Sequence, residues 1–304
     1  MNPISMRALR KTFGRKVAVE SLSLEIGPDQ IYGLIGPNGA GKTTSFSMMA
    51  GFLHPSSGEI AVLGCRPGKV EALRNRIGVL PQDALLPAQT RCADLLSYFA
   101  RLQGFDTRSS RRLAAEALER VGLPEAGELR CGTLSHGMAK RIGIAQAFLG
   151  DPELVLLDEP TAGLDPKHAH QIRELIRQQR RAGRCIVISS HNLHELESLC
   201  DAAAILDHGR LVLEGTMATL TGSSRQIRIQ LLPGAQPELA SLRALPQLKS
   251  LDFQAASGIL VLEVEAARPE ELITAALGLL IAQGQLIAGV SKGESLEAQV
   301  MKLI

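Results

Sequence analysis

The chain has 304 residues and a formal net charge of only +2, from 33 basic and 31 acidic side chains. This length predicts one large domain or two ordinary ones, and a hydrophobic fraction of 45% is enough for a proper core. Aromatic residues make up 3% of the chain, without a Trp. Nucleic-acid binders usually show a basic face or aromatic stacking platforms, so we expect no nucleic-acid partner.

Cysteine usage and apolar patterning predict a cytosolic protein. The cysteines are widely spaced and form no C-x-x-C pair, as is typical of reduced thiols. The N-terminus has no apolar signal-peptide core. The apolar stretch 272–290 is broken by Thr, Gln and Gly residues, so we interpret it as a core helix plus a strand and not as a membrane span.

Residues 3 to 35 are predicted to form short strands, with turns at Gly14 and at Gly27-Pro28. The last apolar run, Ile31 to Ile35, leads into a glycine-rich loop, and a helix-compatible run follows from Thr43 to Ala50. The loop fits the pattern G-x-x-x-x-G-K-[ST]. Its residues are Gly36, Pro37, Asn38, Gly39, Ala40, Gly41, Lys42 and Thr43, followed by Thr44.

This loop predicts a phosphate-binding site. Its glycines let backbone N–H groups point at phosphate oxygens, and the helix that follows aims its positive end at the same anion. Lys42 is expected to reach the β- and γ-phosphates, and Thr43 to hold Mg²⁺. The alternative is an ordinary glycine-rich turn between a strand and a helix. We expect a nucleoside triphosphate to bind here.

After strands at 59–63 and 77–80, the pattern becomes helical at 93–102, 110–121 and 135–149. The run Leu154 to Leu157 is typical of a strand buried on both faces of a parallel sheet. It ends in Asp158-Glu159-Pro160, at the strand end where open α/β sheets bind ligands.

Two carboxylates at that strand end indicate phosphate chemistry. Asp158 is expected to hold Mg²⁺ through water, and Glu159 to polarise the attacking water as general base. The alternative is a surface Asp-Glu-Pro turn that ends the strand.

The rest of the chain alternates and then changes character. Helix 167–182, strand 185–189, helix 193–199 and strand 203–206 predict an α/β sheet with a helical insert. The composition shifts near 221–224. Beyond it we predict strand 225–232, helix 237–244, strand 247–254, strand 258–265, helix 268–283, strand 284–291 and helix 294–304. This β-α-β-β-α-β order is ferredoxin-like and predicts a small second domain.

With these two motifs the chain resembles the ATP-binding subunits of ABC transporters, of the exporter type with a C-terminal accessory domain. The resemblance implies a P-loop NTPase fold: an α/β ABC-ATPase core with an antiparallel β subdomain and a helical subdomain, followed by the small α+β domain. It places an ATP-binding domain at 1–222, its helical subdomain at about 85–150, and the accessory domain at 223–304.

Further residues match this family in chain order. Phe13 matches the aromatic that stacks on adenine, and Gln82 the loop glutamine that senses Mg²⁺ and the γ-phosphate. Ser135 and Gly137 match the signature motif that binds ATP held by the other subunit. Asp165 matches the loop that runs between the two sites of a dimer. Independently of the family, Ser135 and Asp165 are also expected as helix N-caps.

His191 matches the switch histidine that contacts the γ-phosphate and orients the water. A metal pair formed by His191 and His194 is the alternative, which spacing and context disfavour. The signature reads Leu-Ser-His-Gly-Met in place of Leu-Ser-Gly-Gly-Gln, so His136 and Met138 depart from the usual pattern. We expect these changes to affect the affinity and rate of dimer closure more than the contact itself.

The resemblance implies an ATPase with ATP and Mg²⁺ as cofactors. Two subunits, as a homodimer or a heterodimer, would close around two ATP and power a separate integral membrane permease, for export. The chain would then sit at the cytoplasmic face of the membrane. The alternatives are a soluble ATPase that remodels a macromolecular complex, or a regulatory subunit with negligible turnover.

Overall fold

The computed structural model describes residues 2–66, 70–221, 226–246, 248–264 and 269–292. The chain divides into two compact units, Met1–Glu214 and Gly215–Ile304. Composition predicted a boundary slightly later, at 222/223. Among the described residues, no helix combines the length and the apolar character that a membrane span requires.

The first unit contains an antiparallel sheet with the strand order β2-β1-β4. Its strands are β1 (Ile4–Phe13), β2 (Lys16–Ile26) and β4 (Ser57–Val62). Ile4, Met6 and Leu9 of β1 are buried, whereas Arg7, Ala8 and Arg10 are exposed, because one face of the sheet covers the core. The β1–β2 turn at Gly14 puts Phe13 opposite Lys16.

The central sheet has the order β5-β6-β7-β3-β8-β9. Its strands are β3 (Ile31–Ile35), β5 (Ile77–Leu80), β6 (Leu154–Asp158), β7 (Cys185–Ser190), β8 (Ala202–Asp207) and β9 (Arg210–Thr216). Every residue of β3, β6 and β7 is buried. These three strands are parallel, with Ile35 beside Ser190 and Asp158 beside Ser189. Their carboxyl ends therefore meet at one edge.

The helices of the first unit are α1 (Lys42–Met49), α2 (Cys92–Leu102), α3 (Thr107–Arg120), α4 (His136–Ala147), α5 (Pro166–Gln178) and α6 (Leu193–Leu199). The helical segment α2–α4 joins the core where α4 lies on β5. This contact is tight, because a Cβ added at Gly78 would lie 1.7 Å from the Ala147 carbonyl oxygen.

The second unit holds α7 (Met217–Leu220), β10 (Gln226–Leu231), α8 (Leu239–Arg243), β11 (Leu248–Gln254), β12 (Ile259–Val264), α9 (Pro269–Ala282) and β13 (Ile287–Lys292). From β10 to β13 the element order is β-α-β-β-α-β, and the antiparallel sheet has the order β11-β12-β10-β13. Ile227, Ile229, Leu260 and Leu262 form its core with α9. The helix predicted at 294–304 lies outside the described residues.

Candidate functional site

The loop between β3 and α1 takes a shape that only glycine permits. Gly41 has φ +97°, and a Cβ there would lie 2.6 Å from the Ala18 carbonyl oxygen. A Cβ at Gly36 would lie 2.3 Å from the Leu206 carbonyl oxygen. Helix α1 begins directly after Gly41 and has no side-chain N-cap, so its first N–H groups face the loop. This arrangement suits a bound anion.

Lys42 lies inside the loop and not in solvent. Its Nζ donates to the carbonyl oxygens of Gly36 at 2.7 Å and of Pro37 at 3.1 Å, and lies 3.7 Å from Glu159 Oε1. The side chain is buried, and burial lowers the pKa of Lys42, although Glu159 and Asp158 act in the opposite direction. A phosphate that enters the loop therefore finds the Lys42 ammonium within the loop, held by the two carbonyl oxygens and close to Glu159.

Ser189 holds both acidic residues at the end of β6. Its Oγ donates a short hydrogen bond to the Asp158 carboxylate and accepts the Glu159 N–H at 3.0 Å. Burial raises the pKa of Asp158, against the lowering effect of the Ser189 and Thr43 hydroxyls. Glu159 has φ +50°, which turns the chain sharply after the strand. Sequence reasoning missed Ser189, because a serine within a buried strand carries no local signal.

Glu159 and His191 form a pair at the ends of neighbouring strands. His191 Nδ1 lies 2.9 Å from Glu159 Oε2 and 3.0 Å from Oε1. A carboxylate only accepts hydrogen bonds, so Nδ1 carries the hydrogen in this contact and Nε2 is left for another partner. The Glu159 side chain is 5% exposed and that of His191 55%. The pair thus joins a buried carboxylate to an imidazole that reaches solvent.

Thr43, Gln82 and Asp158 bring oxygen atoms together beside the loop. Thr43 Oγ1 donates to Gln82 Oε1 at 3.3 Å, and the nearby Thr43 hydroxyl lowers the pKa of Asp158. Hydroxyl, amide and carboxylate oxygens are the donors that Mg²⁺ prefers, so the residues present fit this ion.

A cleft of about 210 Å³ opens in front of these groups. Its lining residues are Lys16, Ala18, Asn38, Gly39, Gly41, Lys42, Thr43, Thr44, Gln82 and Glu159. Phe13 lies at the end of β1, opposite Lys16, with 49% of its surface exposed. Lys11 Nζ lies 5.2 Å from the centre of its ring. An exposed ring beside a phosphate cleft is available to stack on a base.

Ser135, Gly137 and Asp165 lie together at a second place in the first unit. Ser135 Oγ accepts the Met138 N–H at 3.2 Å and Asp165 Oδ1 accepts the His168 N–H at 3.0 Å, which confirms both as helix N-caps. His168 hydrogen-bonds Asp165 through Nδ1, and this contact lowers the pKa of Asp165. A Cβ added at Gly137 would lie 3.2 Å from the His168 ring.

The start of α4 therefore adjoins the start of α5. His136 takes part in the same contact, because its Nε2 would lie 3.2 Å from a Cβ added at Gly163. His194 is the second residue of α6, and within the described residues no group of three or more His, Cys, Asp or Glu side chains is arranged to hold a metal.

Comparison with known sequences places these features in one family. The profile of the ABC transporter family matches residues 19–162. Nod factor export ATP-binding protein I of Burkholderia orbicola (strain AU 1054) is 36% identical over 242 residues, covering 79% of each chain. Linearmycin resistance ATP-binding protein LnrL of Bacillus subtilis (strain 168) is 33% identical over 274 residues, covering 88% of this chain and 87% of that protein.

Solved structures have the same fold. CbiO1 of Clostridium perfringens, part of the ABC transporter complex cbiONQ, superimposes with a TM-score of 0.65 at 27% identity. The alignment covers 73% of this chain and 91% of that one. The ATP-binding cassette MJ0796, a dimer in a post-hydrolysis state with ADP and Pi, gives a TM-score of 0.64 over 70% of this chain and 98% of its own. At 21% identity it supports the fold alone.

Proposed function

This chain belongs to the ABC transporter family, as an exporter-type ATP-binding subunit that hydrolyses ATP, and from that premise we propose which residues do so and with which partners. The observation that carries the proposal is the cleft where Lys42, Thr43, Gln82 and Glu159 meet. A phosphate loop, an oxygen donor set and a buried carboxylate paired with a histidine are the parts that phosphoryl transfer to water requires.

In the proposed reaction the loop N–H groups and Lys42 hold the phosphate chain. Glu159 accepts a proton from the attacking water, and His191 fixes the carboxylate through Nδ1 at 2.9 Å. The other ring nitrogen of His191 is free to contact the γ-phosphate. Phe13 stacks on the adenine from its exposed position at the end of β1.

The proposed Mg²⁺ ligands are Thr43, Gln82 and, through water, Asp158. The hydroxyl and amide oxygens of the first two lie 3.3 Å apart. When bound, Mg²⁺ neutralises the charge that develops on the phosphate oxygens. The link from Thr43 to Gln82 lets the loop after β5 respond to what occupies the site.

We further propose that two copies close head to tail around two ATP, as a homodimer or with a related subunit. Ser135, Gly137 and Asp165 would then contact the nucleotide held by the partner. Ser135 and Gly137 are suited to this, since they lie at the start of α4, whose N-terminus favours an anion, and Asp165 caps the adjoining start of α5. A closed site excludes bulk water and strengthens its electrostatic interactions.

We also propose that an integral membrane permease binds this subunit and holds it at the cytoplasmic face of the membrane. The helical segment at about 85–150 is the proposed docking surface. Transport in the outward direction is supported by the names of the relatives, which refer to Nod factor export and linearmycin resistance.

Dimer formation is tested on the Glu159→Gln variant, which should hold ATP without consuming it. Size-exclusion chromatography with light scattering is run with ATP and Mg²⁺, and again with ADP and Mg²⁺. We expect a dimer with ATP and monomers with ADP. A matched run uses Glu159→Gln combined with Lys42→Ala, which should stay monomeric in both. If the molar mass of Glu159→Gln is the same with ATP as with ADP, two copies do not close around ATP.

The permease is tested by purifying the tagged Glu159→Gln chain from detergent-solubilised native membranes with ATP and Mg²⁺. A polytopic membrane protein at near-equal stoichiometry would support the transporter, and its cavity would then limit the choice of cargo. Ribosomal or nucleic-acid partners without any membrane protein would instead favour a soluble remodelling ATPase.

A further inference from the structure

Glu195 joins three separate segments through a single carboxylate. Its Oε2 accepts the Thr161 hydroxyl at 2.6 Å, and its Oε1 accepts Arg173 Nη1 at 3.0 Å. Its backbone N–H donates to Asn192 Oδ1 at 3.3 Å. The side chains of Glu195 and Arg173 are only 17% and 19% exposed. Both oxygens of this shielded carboxylate accept a hydrogen bond, so the contact should be stronger than a solvated ion pair at the surface.

The partners of Glu195 are attached to the residues proposed for hydrolysis. Thr161 follows Glu159 by two residues, in the loop after β6. Glu195 lies one helical turn after His191, at the start of α6. Arg173 lies in the middle of α5, the helix that Asp165 caps.

These contacts close a ring between two strand ends. At one side of the ring, His191 Nδ1 bonds the Glu159 carboxylate at 2.9 Å. At the other side, Thr161 Oγ1 bonds Glu195 at 2.6 Å. The short segments 159–161 and 191–195 connect the two bonds. With both bonds made, neither segment can turn without breaking a charge-assisted hydrogen bond, and Arg173 ties the ring to α5.

We propose that Glu195, held by Thr161 and Arg173, is a positioning residue that keeps His191 in register with Glu159 during hydrolysis. This inference rests on the proposed function of that pair. Glu195 does not line the cleft proposed for the nucleotide, so it acts on the rate of the chemical step and not on ATP binding. We call the hydrogen bonds of Glu195 to Thr161 and Arg173 the clamp. Loss of the clamp leaves Glu159 in place but allows His191 to move away from the Glu159 carboxylate.

The first test is Thr161→Val, which removes the hydroxyl and nearly preserves the shape. We expect kcat to fall about tenfold, with the KM for ATP within about twofold of the native value. Arg173→Met should lower kcat in the same way. The matched control is Arg177→Met, one turn along α5. Arg177, Arg173 and Glu195 line one cleft of about 520 Å³, but Arg177 bonds Glu174 and the Ser198 carbonyl oxygen and not Glu195.

A second arm separates positioning from a general loss of structure. In a His191→Ala background, Thr161→Val should change kcat by less than about twofold, because the residue through which it acts is gone. A further tenfold loss in that background would overturn the proposal. So would native kcat in Thr161→Val, or an equal loss of kcat in Arg177→Met.

Hydrogen exchange measured by mass spectrometry gives a readout that needs no turnover. Thr161→Val should speed exchange across 191–196 severalfold, whereas Arg177→Met should not. If the native chain proves inactive as an ATPase, the proposed function fails while this arm still reports on the clamp. Unchanged exchange across 191–196 in an active protein would reject the clamp alone.

Discussion

Replacing Glu159 by Gln removes one charge and almost no volume from the end of β6. The backbone N–H of residue 159 still bonds Ser189, and the amide oxygen can still accept from His191 Nδ1. The amide cannot accept a proton from water. Loss of a general base lowers the rate by about 10²- to 10⁴-fold, or roughly 3–5 kcal/mol of transition-state free energy.

The same change should not weaken ATP binding. Lys42 Nζ lies 3.7 Å from the Glu159 carboxylate, so the two charges attract before nucleotide arrives. The gross attraction is about 4 kcal/mol at an effective dielectric constant of about 20, and desolvation offsets much of it. A phosphate must compete with Glu159 for Lys42, so the affinity of Glu159→Gln for ATP should equal or exceed the native value.

Single-turnover hydrolysis of labelled ATP and fluorescence titration with an ATP analogue measure the two quantities separately. The control is Glu153→Gln, immediately before the other end of β6, where the glutamate pairs with Arg76 at the surface. It should leave both quantities unchanged. Turnover of Glu159→Gln within about threefold of native would remove Glu159 from the role of general base. Weaker ATP binding would contradict competition for Lys42.

Because burial lowers the pKa of Lys42 and ATP binding needs the charged ammonium, ATP affinity should fall as pH rises. In pH titrations of ATP affinity, the fall for the native protein should start below the ordinary lysine pKa of about 10.4, whereas the affinity of Lys42→Arg should not change with pH. A flat native profile would contradict this. Gly78→Ala should destabilise the fold by about 1–3 kcal/mol or more and so lower the melting temperature, since its methyl group meets the Ala147 carbonyl. Gly278→Ala, in open space on α9, should leave the melting temperature unchanged. Equal melting curves for the two variants would refute the packing argument. Asp158→Asn should raise the Mg²⁺ concentration for half-maximal ATPase activity by about tenfold or more, and an unchanged Mg²⁺ titration would exclude Asp158 from the metal site.

Much of the fold could be predicted because its signals are local. The buried strands before Gly36 and before Asp158 read as apolar runs, and both lie where the pattern predicted them. Helix ends were less accurate. Helix α3 begins at Thr107 and not at Ser110, because Asp106 caps it, and α5 ends at Gln178 and not at residue 182.

The site was predictable only where a motif is contiguous. Ser189 lies 30 residues from Glu159, and Glu195 lies 34 residues from Thr161 and 22 from Arg173; neither Ser189 nor Glu195 belongs to a recognisable short pattern. Their roles depend on parallel pairing of β6 with β7, which brings the two strand ends together. The assigned roles of all the site residues stay predictions, those of Lys42, Glu159 and His191 as much as those of Phe13 and Ser135.

The helix starts around the site differ in what their first N–H groups face. Helix α1 has no side-chain cap, so a phosphate group there completes the helix as a capping side chain would, and nucleotide should protect this first turn from exchange. Helix α4 already has a cap, because Ser135 Oγ accepts the Met138 N–H. A hydroxyl accepts and donates at once, so Ser135 can cap its own helix while offering its proton to a phosphate on another subunit. An aspartate in its place would preserve the cap and repel the phosphate, so in the proposed dimer one side chain would serve both its own fold and its neighbour's ligand.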